Sequence, residues 1–161
     1  MRAHRLARLL DGSLTLRAHG PVDPATAWRR YDELALWPRW APHLRRVDAD
    51  APTLTTGGRG RVRGPLGVSA RFAVVAVERE RRRWTWRVRS GPLVVLLEHG
   101  VEAVPGGPGS RTWLTMRGPY PALVGYAPLA WWALHRLVGR PHLRGPRRPS
   151  GPRGAPAGDP A

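Results

Sequence analysis

At 161 residues the chain has the length of one domain, enough to enclose a core without covalent staples. It contains no Cys, which excludes disulfides and thiolate metal sites, and its formal charge of +16 is carried on the basic side by Arg alone, since no Lys occurs. The arginines run from Arg2 to Arg153 among 19 Gly and 18 Pro, a pattern of GC-rich coding rather than of one basic surface, so charge alone indicates no nucleic-acid partner.

Residues 1–12 form a basic segment with Arg2, Arg5 and Arg8; it has no continuous apolar stretch and no small-residue cleavage site, so it does not read as a secretory signal. The longest apolar stretch, 119–134, is interrupted by Pro121, Gly125 and Pro128 and falls short of the roughly 20 residues a bilayer span requires. A cytoplasmic protein is the expectation.

Ser13 to Ala18 alternates, with Leu14, Leu16 and Ala18 on one face and Thr15 and Arg17 on the other, which is the period of a half-buried strand. Asp23 is a suitable N-cap, and Pro24 fits the first helical position, where its missing N–H costs nothing. The helix expected from Pro24 to about Leu34 puts Ala27, Trp28 and Tyr31 on one side. A second helical turn begins near Leu36, confined to a few residues by Pro38 and Pro42.

Strands then dominate: 43–50, 60–63, 68–80, 83–90, 93–104 and 111–117, separated by turns at Ala51-Pro52, Gly57-Gly58, Gly64 to Gly67, Arg81-Arg82, Gly91-Pro92 and Pro105 to Gly109. In 83–90 the alternation is strict, with Trp84, Trp86 and Val88 on one face and four polar residues opposite. Short loops between neighbours imply an antiparallel meander. From 121 to 138, Leu123, Ala127, Ala130, Leu134 and Leu137 recur at helical spacing; Pro128 either kinks this element or starts a new helix. Residues 140–161 are so rich in Pro, Gly and Arg that disorder is expected.

The order is therefore strand, two short helices, five or six antiparallel strands and a C-terminal helix, an α+β layout. Together with Pro21-Val22-Asp23-Pro24-Ala25 leading to Trp28, Trp37-Pro38-Arg39-Trp40 before Pro42, the Trp84-x-Trp86 strand and Gly109-Ser110-Arg111-Thr112, it resembles the START/Bet v 1-like (SRPBCC) superfamily of polyketide cyclases, dehydrases and lipid carriers. The resemblance spans 13 to about 137. It implies a helix-grip domain over 13–139, in which a curved antiparallel sheet wraps a C-terminal helix and encloses a cavity for a small hydrophobic ligand such as a lipid or aromatic polyketide. Family helices usually run longer than Pro128 and Pro141 allow here.

Candidate ligand-binding residues are Trp37, Trp40, Phe72, Trp84, Trp86, His99, Tyr120 and Tyr126. Trp84 and Trp86 either pack the core or form a wall on which a flat ligand stacks, since each indole can bury about 150–250 Å². His99, on an inward strand face, could exchange a proton near neutral pH, although no Asp or Glu stands at a spacing that orients it. Arg117 and Tyr120 flank the junction of last strand and helix, which borders the cavity in the resembling folds, and with His99 they are the candidates for any catalytic role. The remaining histidines make no metal-binding pattern, so neither metal nor cofactor is expected.

Arg71, Arg83, Arg87 and Arg89 should project from the outer sheet face near Glu98 and Glu102, a solvated surface without interleaved aromatics and hence no specific nucleic-acid site. Three functions remain open. A non-enzymatic binding module comes first. A cyclase- or dehydrase-like enzyme, which folds a reactive chain with few catalytic groups, is second. Weak contact with an anionic membrane through the basic tail and the Trp131-Trp132 helix is third.

Overall fold

In the computed structural model, which describes residues 11–140, the strand that opens the chain pairs with the last one. Strand β1 (Asp11–Gly20) lies antiparallel to β7 (Ser110–Pro119), and from there the sheet runs in order through β6 (Leu93–Ala103), β5 (Arg83–Ser90), β4 (Ser69–Glu78), β3 (Arg59–Arg63) and β2 (Arg46–Ala49). All seven strands are antiparallel, and β1 and β2 are the free edges of an open, curved sheet. Helix α1 (Pro24–Asp32), a 3-10 turn (Leu34–Leu36) and helix α2 (Trp37–Trp40) lie between β1 and β2; helix α3 (Tyr120–Val138) closes the fold. This is the helix-grip arrangement.

Local chemistry accounts for the short helices. The Asp23 carboxylate accepts a hydrogen bond from the Thr26 N–H at 2.9 Å, with Pro24 at the first helical position. That capping bond holds the Asp23 carboxyl below its ordinary value. The chain leaves the α conformation at Glu33, re-forms one 3-10 turn, and α2 ends at Ala41, whose extended backbone is what a following Pro42 demands. The expected single helix to Leu34 is thus two residues shorter.

Inward and outward faces alternate as the pleat requires. On β5, Trp84 and Trp86 are buried and Arg83, Arg87 and Arg89 exposed; Arg83 meets Glu102 at 3.9 Å across the outer face, an exposed pair worth at most about 1 kcal/mol. The apolar run of β4 conceals a bulge. Phe72 and Val74 point inward, Val75 is the extra residue, and after the register shift Val77 stands opposite Trp84. A one-residue insertion explains why this strand shows no clean alternation. The first long strand is also longer than expected, while β2 is confined to four residues.

Helix α3 packs on β1 and β7 and touches α1 and α2. It is one continuous helix: Pro128 lies on its exposed side, so the carbonyl of Val124 that loses its partner faces solvent rather than the core. Its C-terminus is docked by name. The Val22 N–H donates to Val138 O at 3.2 Å, and a Cβ at Gly20 would stand 2.3 Å from that same oxygen, so only glycine permits the approach. The Arg30 guanidinium donates to the carbonyls of Arg136 (3.3 Å), Leu137 and Gly139 (2.8 Å), satisfying groups that a helix end leaves unpaired. The expected tail, 140–161, lies outside the described residues save Arg140. Among the described residues no helix is long and apolar enough to cross a membrane.

A candidate ligand cavity between sheet and helix

Because α3 is held at its C-terminal end and the sheet curves away, the two leave a cavity of about 610 Å³ between them. That lies within the roughly 300–1,000 Å³ of small-molecule sites. Aliphatic side chains such as Leu97, Leu114, Met116 and Leu134 make up much of its wall. Among the described residues lining it there is no Asp, Glu or Arg, in a chain with 27 basic and 11 acidic residues.

One end is a buried aromatic cluster. Trp84 stacks on His99 with centroids 4.5 Å apart and planes within 8°. Trp37 packs against Trp84, Trp86 and Phe72 at 5.0–5.8 Å, and Tyr31 sets its ring edge-on to Trp40 and His99. Two of the indoles on this wall are anchored to α1: Trp37 Nε1 donates to Tyr31 O and Trp40 Nε1 to Arg30 O, both at 2.8 Å. The short Trp-rich turn thus packs against one end of the curved sheet instead of projecting into solvent.

A directional chain of hydrogen bonds runs behind this wall. Trp86 Nε1–H can only donate, so His99 Nε2 accepts it at 3.2 Å and carries no proton. The proton therefore sits on Nδ1, which donates to Tyr31 Oη at 3.2 Å; Tyr31 donates to Thr112 Oγ1 at 2.9 Å, and Thr112 to Gly100 O at 2.9 Å. Every donor has one acceptor. Burial pushes the His99 pKa down to about 3 and the Tyr31 phenol up, so both are neutral at ordinary pH.

The other end is looser. Val68, Leu129 and Trp132 both line the cavity and stay 63, 41 and 49 % exposed, which marks the mouth between α3 and the β3–β4 turn. Here Tyr126 of α3 meets His43, which follows α2: the phenol oxygen lies 2.8 Å from His43 Nε2, with the rings edge-on at 5.4 Å. Burial lowers the His43 pKa and raises that of Tyr126.

Of the residues singled out in the sequence, Trp37, Trp40, Trp84, Trp86, His99 and Tyr126 come together on the cavity wall. Phe72 stands behind it, packed against Trp37 and Trp86. Arg117 and Tyr120 do not join them. Leu114 and Met116 point inward, so the pleat turns Arg117 to the outer face, and Tyr120, half-exposed, lies over Gly12 of β1. His99 lines the wall, but both its nitrogens are engaged, which leaves it no free position for acid–base work. Sequence reasoning missed Tyr31, Thr112 and His43, which are joined to side chains 68 to 83 positions away in the chain.

The geometry agrees with known proteins. Solved structures share this fold at low identity: Ara h 8.0201 (13 % identity, 78 % of this chain and 95 % of that one, TM-score 0.59) and major latex-like protein 151 from Panax ginseng (12 %, 80 % and 95 %, TM-score 0.65). Protein XoxI from Bacillus cereus is a further example (16 %, 79 % and 93 %, TM-score 0.66). No curated protein matches the sequence. The family model described as polyketide cyclase/dehydrase and lipid transport matches residues 12–140. With its Bet v 1-like helix-grip fold, the chain belongs to the polyketide cyclase/dehydrase and lipid transport family of the SRPBCC superfamily.

Proposed function

We propose that the protein binds a small hydrophobic molecule, a lipid or an aromatic polyketide, in this cavity, and sequesters or carries it in the cytoplasm without transforming it. The observation that carries this reading is the apolar cavity of about 610 Å³ with an aromatic end wall. Binding is favoured over cyclase-like chemistry because the three candidate catalytic groups do not converge: His99 is saturated by Trp86 and Tyr31, while Arg117 and Tyr120 lie outside the cavity. Folding a reactive chain by shape alone needs none of them, so the enzyme reading stands as the alternative. Native mass spectrometry of the protein purified from its own host tests the proposal. An extra mass that organic extraction removes is the expected result; a bare chain that also takes up no added apolar dye would end it.

A second reading has its own observation. Trp131 and Trp132 are half-exposed side by side on α3, with the Arg136 guanidinium 5.9 Å over the Trp132 ring. Aromatic and basic groups on one helix suit peripheral contact with an anionic membrane. Sedimentation with phosphatidylserine vesicles checks it, and deletion of 140–161 separates the helix from the basic tail as the anchor.

A further inference from the structure

Exposed apolar side chains stand on both sides of the cavity mouth, Leu129 and Trp132 on α3 and Leu66 and Val68 on the turn between β3 and β4. Leu66 is fully exposed and held at φ of 56°, a left-handed conformation that disfavours a residue of its shape. Within the protein nothing offsets that cost. Single apolar residues on a surface are ordinary, whereas several around one opening mark an interface.

Arginine is spread along the chain, but the sheet gathers it. On the outer face Arg61 of β3 stands directly opposite Arg71 of β4, and Arg71 opposite Arg89 of β5. Their sequence neighbours Val62, Ala70 and Ser90 line the cavity from the inner face, so this row lies at the mouth end. Arg87 and Arg117 flank Leu96 in the next row. None of these five arginines makes an ion pair among the described residues. Like charges directly opposite each other weaken strand pairing, so the sheet itself gives no reason for the arrangement. The carboxylates of Glu78, Glu98 and Glu102 stand farther along the strands, and Asp48, on the edge strand, is taken by Arg46 and Arg63. Beyond the helix side of the mouth, Arg136 covers the Trp132 ring and donates to Arg39 O at 2.9 Å.

Resting on the membrane reading above, and independent of what the cavity holds, we infer that the protein docks on an anionic phospholipid bilayer with its cavity mouth against the surface. The β3–β4 turn enters the headgroup layer through Leu66 and Val68. Arg61, Arg71 and Arg89 on one flank and Arg136 on the other stay in reach of the lipid phosphates. A bilayer fits better than a nucleic acid, because it also offers apolar depth to the bare turn. A cavity so placed opens onto lipid and not onto water.

Phosphatidylcholine vesicles with and without phosphatidylserine test this on the full chain, with binding read by energy transfer from tryptophan to a dansyl lipid. Arg71→Glu with Arg89→Glu should weaken binding to the mixed vesicles by at least about 10-fold. Arg17→Glu with Arg111→Glu, the same charge change at the far end of the outer face, should weaken it by less than about 3-fold. Leu66→Asn, which the left-handed backbone tolerates, should cost about 10-fold. Because the chain has no Cys, a Val68→Cys variant can carry an environment-sensitive dye, whose emission should shift blue on the mixed vesicles. The same dye on His19→Cys, at the far end, should not shift. Equal losses from the two charge reversals, unchanged binding by Leu66→Asn, or equal dye shifts would overturn the mouth-down orientation and leave the α3 contact proposed above. A wild-type chain that ignores the mixed vesicles would end both. A single-stranded oligonucleotide that binds more tightly than the vesicles, and is lost with Arg71→Glu and Arg89→Glu but not with Leu66→Asn, would assign the face to nucleic acid instead. The carrier reading survives each of these failures, since co-purification of a ligand decides it separately.

Discussion

The two ends of the cavity are built on opposite terms. At the Trp84–His99 end every ring is wedged against another and a four-bond chain from Trp86 to Gly100 leaves no donor spare along its length. At the mouth, Val68, Leu129 and Trp132 are half in water, and Tyr126 makes one hydrogen bond, with His43. The bonded chain rigidifies the core at the closed end, although the buried Trp84 Nε1–H beside it has no acceptor. On the carrier reading proposed above, the closed end would set the shape of the cavity and the open end would admit the ligand. Substitutions at the two ends should therefore separate stability from binding.

The largest effect belongs to Trp84→Ala. Removing a fully buried indole from between His99 and Trp37 should cost about 3–5 kcal/mol in urea unfolding. Trp132→Ala, at the mouth, should cost less than about 1 kcal/mol yet weaken retention of an apolar ligand. Similar stability losses in the two variants would erase the distinction between the ends.

Tyr31→Phe comes next. The ring and its packing survive, but His99 Nδ1–H loses its acceptor, and a buried donor left unpaired costs about 1–3 kcal/mol. Thr112 still donates to Gly100 O, so the damage should stay local. An NMR spectrum of the variant should show the His99 ring perturbed and the Tyr126–His43 region unmoved; a shift spreading to the mouth would mean that the ends are coupled.

Acid should act on the closed end. The folded state holds His99 neutral down to about pH 3, whereas the unfolded chain takes up that proton near pH 6.5. Between those values the unfolded state binds more protons, so stability is complete above about pH 6.5 and falls as the pH drops toward 3. His43, also lowered by burial, adds to the same slope. Asp23 and Asp48, held low by their hydrogen bonds, contribute only as the pH approaches their unfolded value of 3.8, so the interval above it reports the histidines. His99→Leu should be less stable at pH 7.5 and should show a shallower decline in melting temperature between pH 7.5 and 5. An unchanged slope would mean that His99 is not held neutral.

How much of this was legible in the chain follows from the range of each interaction. The inward face of β5 was legible because Trp84, Trp86 and Val88 alternate within five residues of one strand. The helix start at Asp23-Pro24 is written in adjacent residues in the same way. The outward turn of Arg117 was also available, since Leu114 and Met116 set the parity of β7, but its place near the helix junction drew it into the candidate site. The chain from Trp86 to Gly100 was not legible at all: its members come from α1, β5, β6 and β7, and no spacing along the sequence predicts that Tyr31 reaches Thr112. Nor could alternation reveal the β4 bulge, where an extra Val75 exchanges the faces halfway along.

The smallest effect concerns the rim. Leu66 stands in the turn between β3 and β4 with φ of 56° and its side chain fully exposed, while Pro65 and Val68 beside it line the cavity. A branched aliphatic residue gains nothing there: the left-handed backbone costs it about 1–2 kcal/mol, and no burial offsets that. Asn tolerates the conformation better, so Leu66→Asn should raise the urea midpoint by an amount equivalent to at most about 1 kcal/mol. If Leu66 serves only the turn, that gain is the whole effect. If it closes over an occupied mouth, the same substitution should speed ligand release while the empty protein grows more stable. Stopped-flow dissociation of 2-acetylnaphthalene from the two proteins would separate these outcomes, and a faster release from the more stable variant would assign Leu66 to the open end of the cavity.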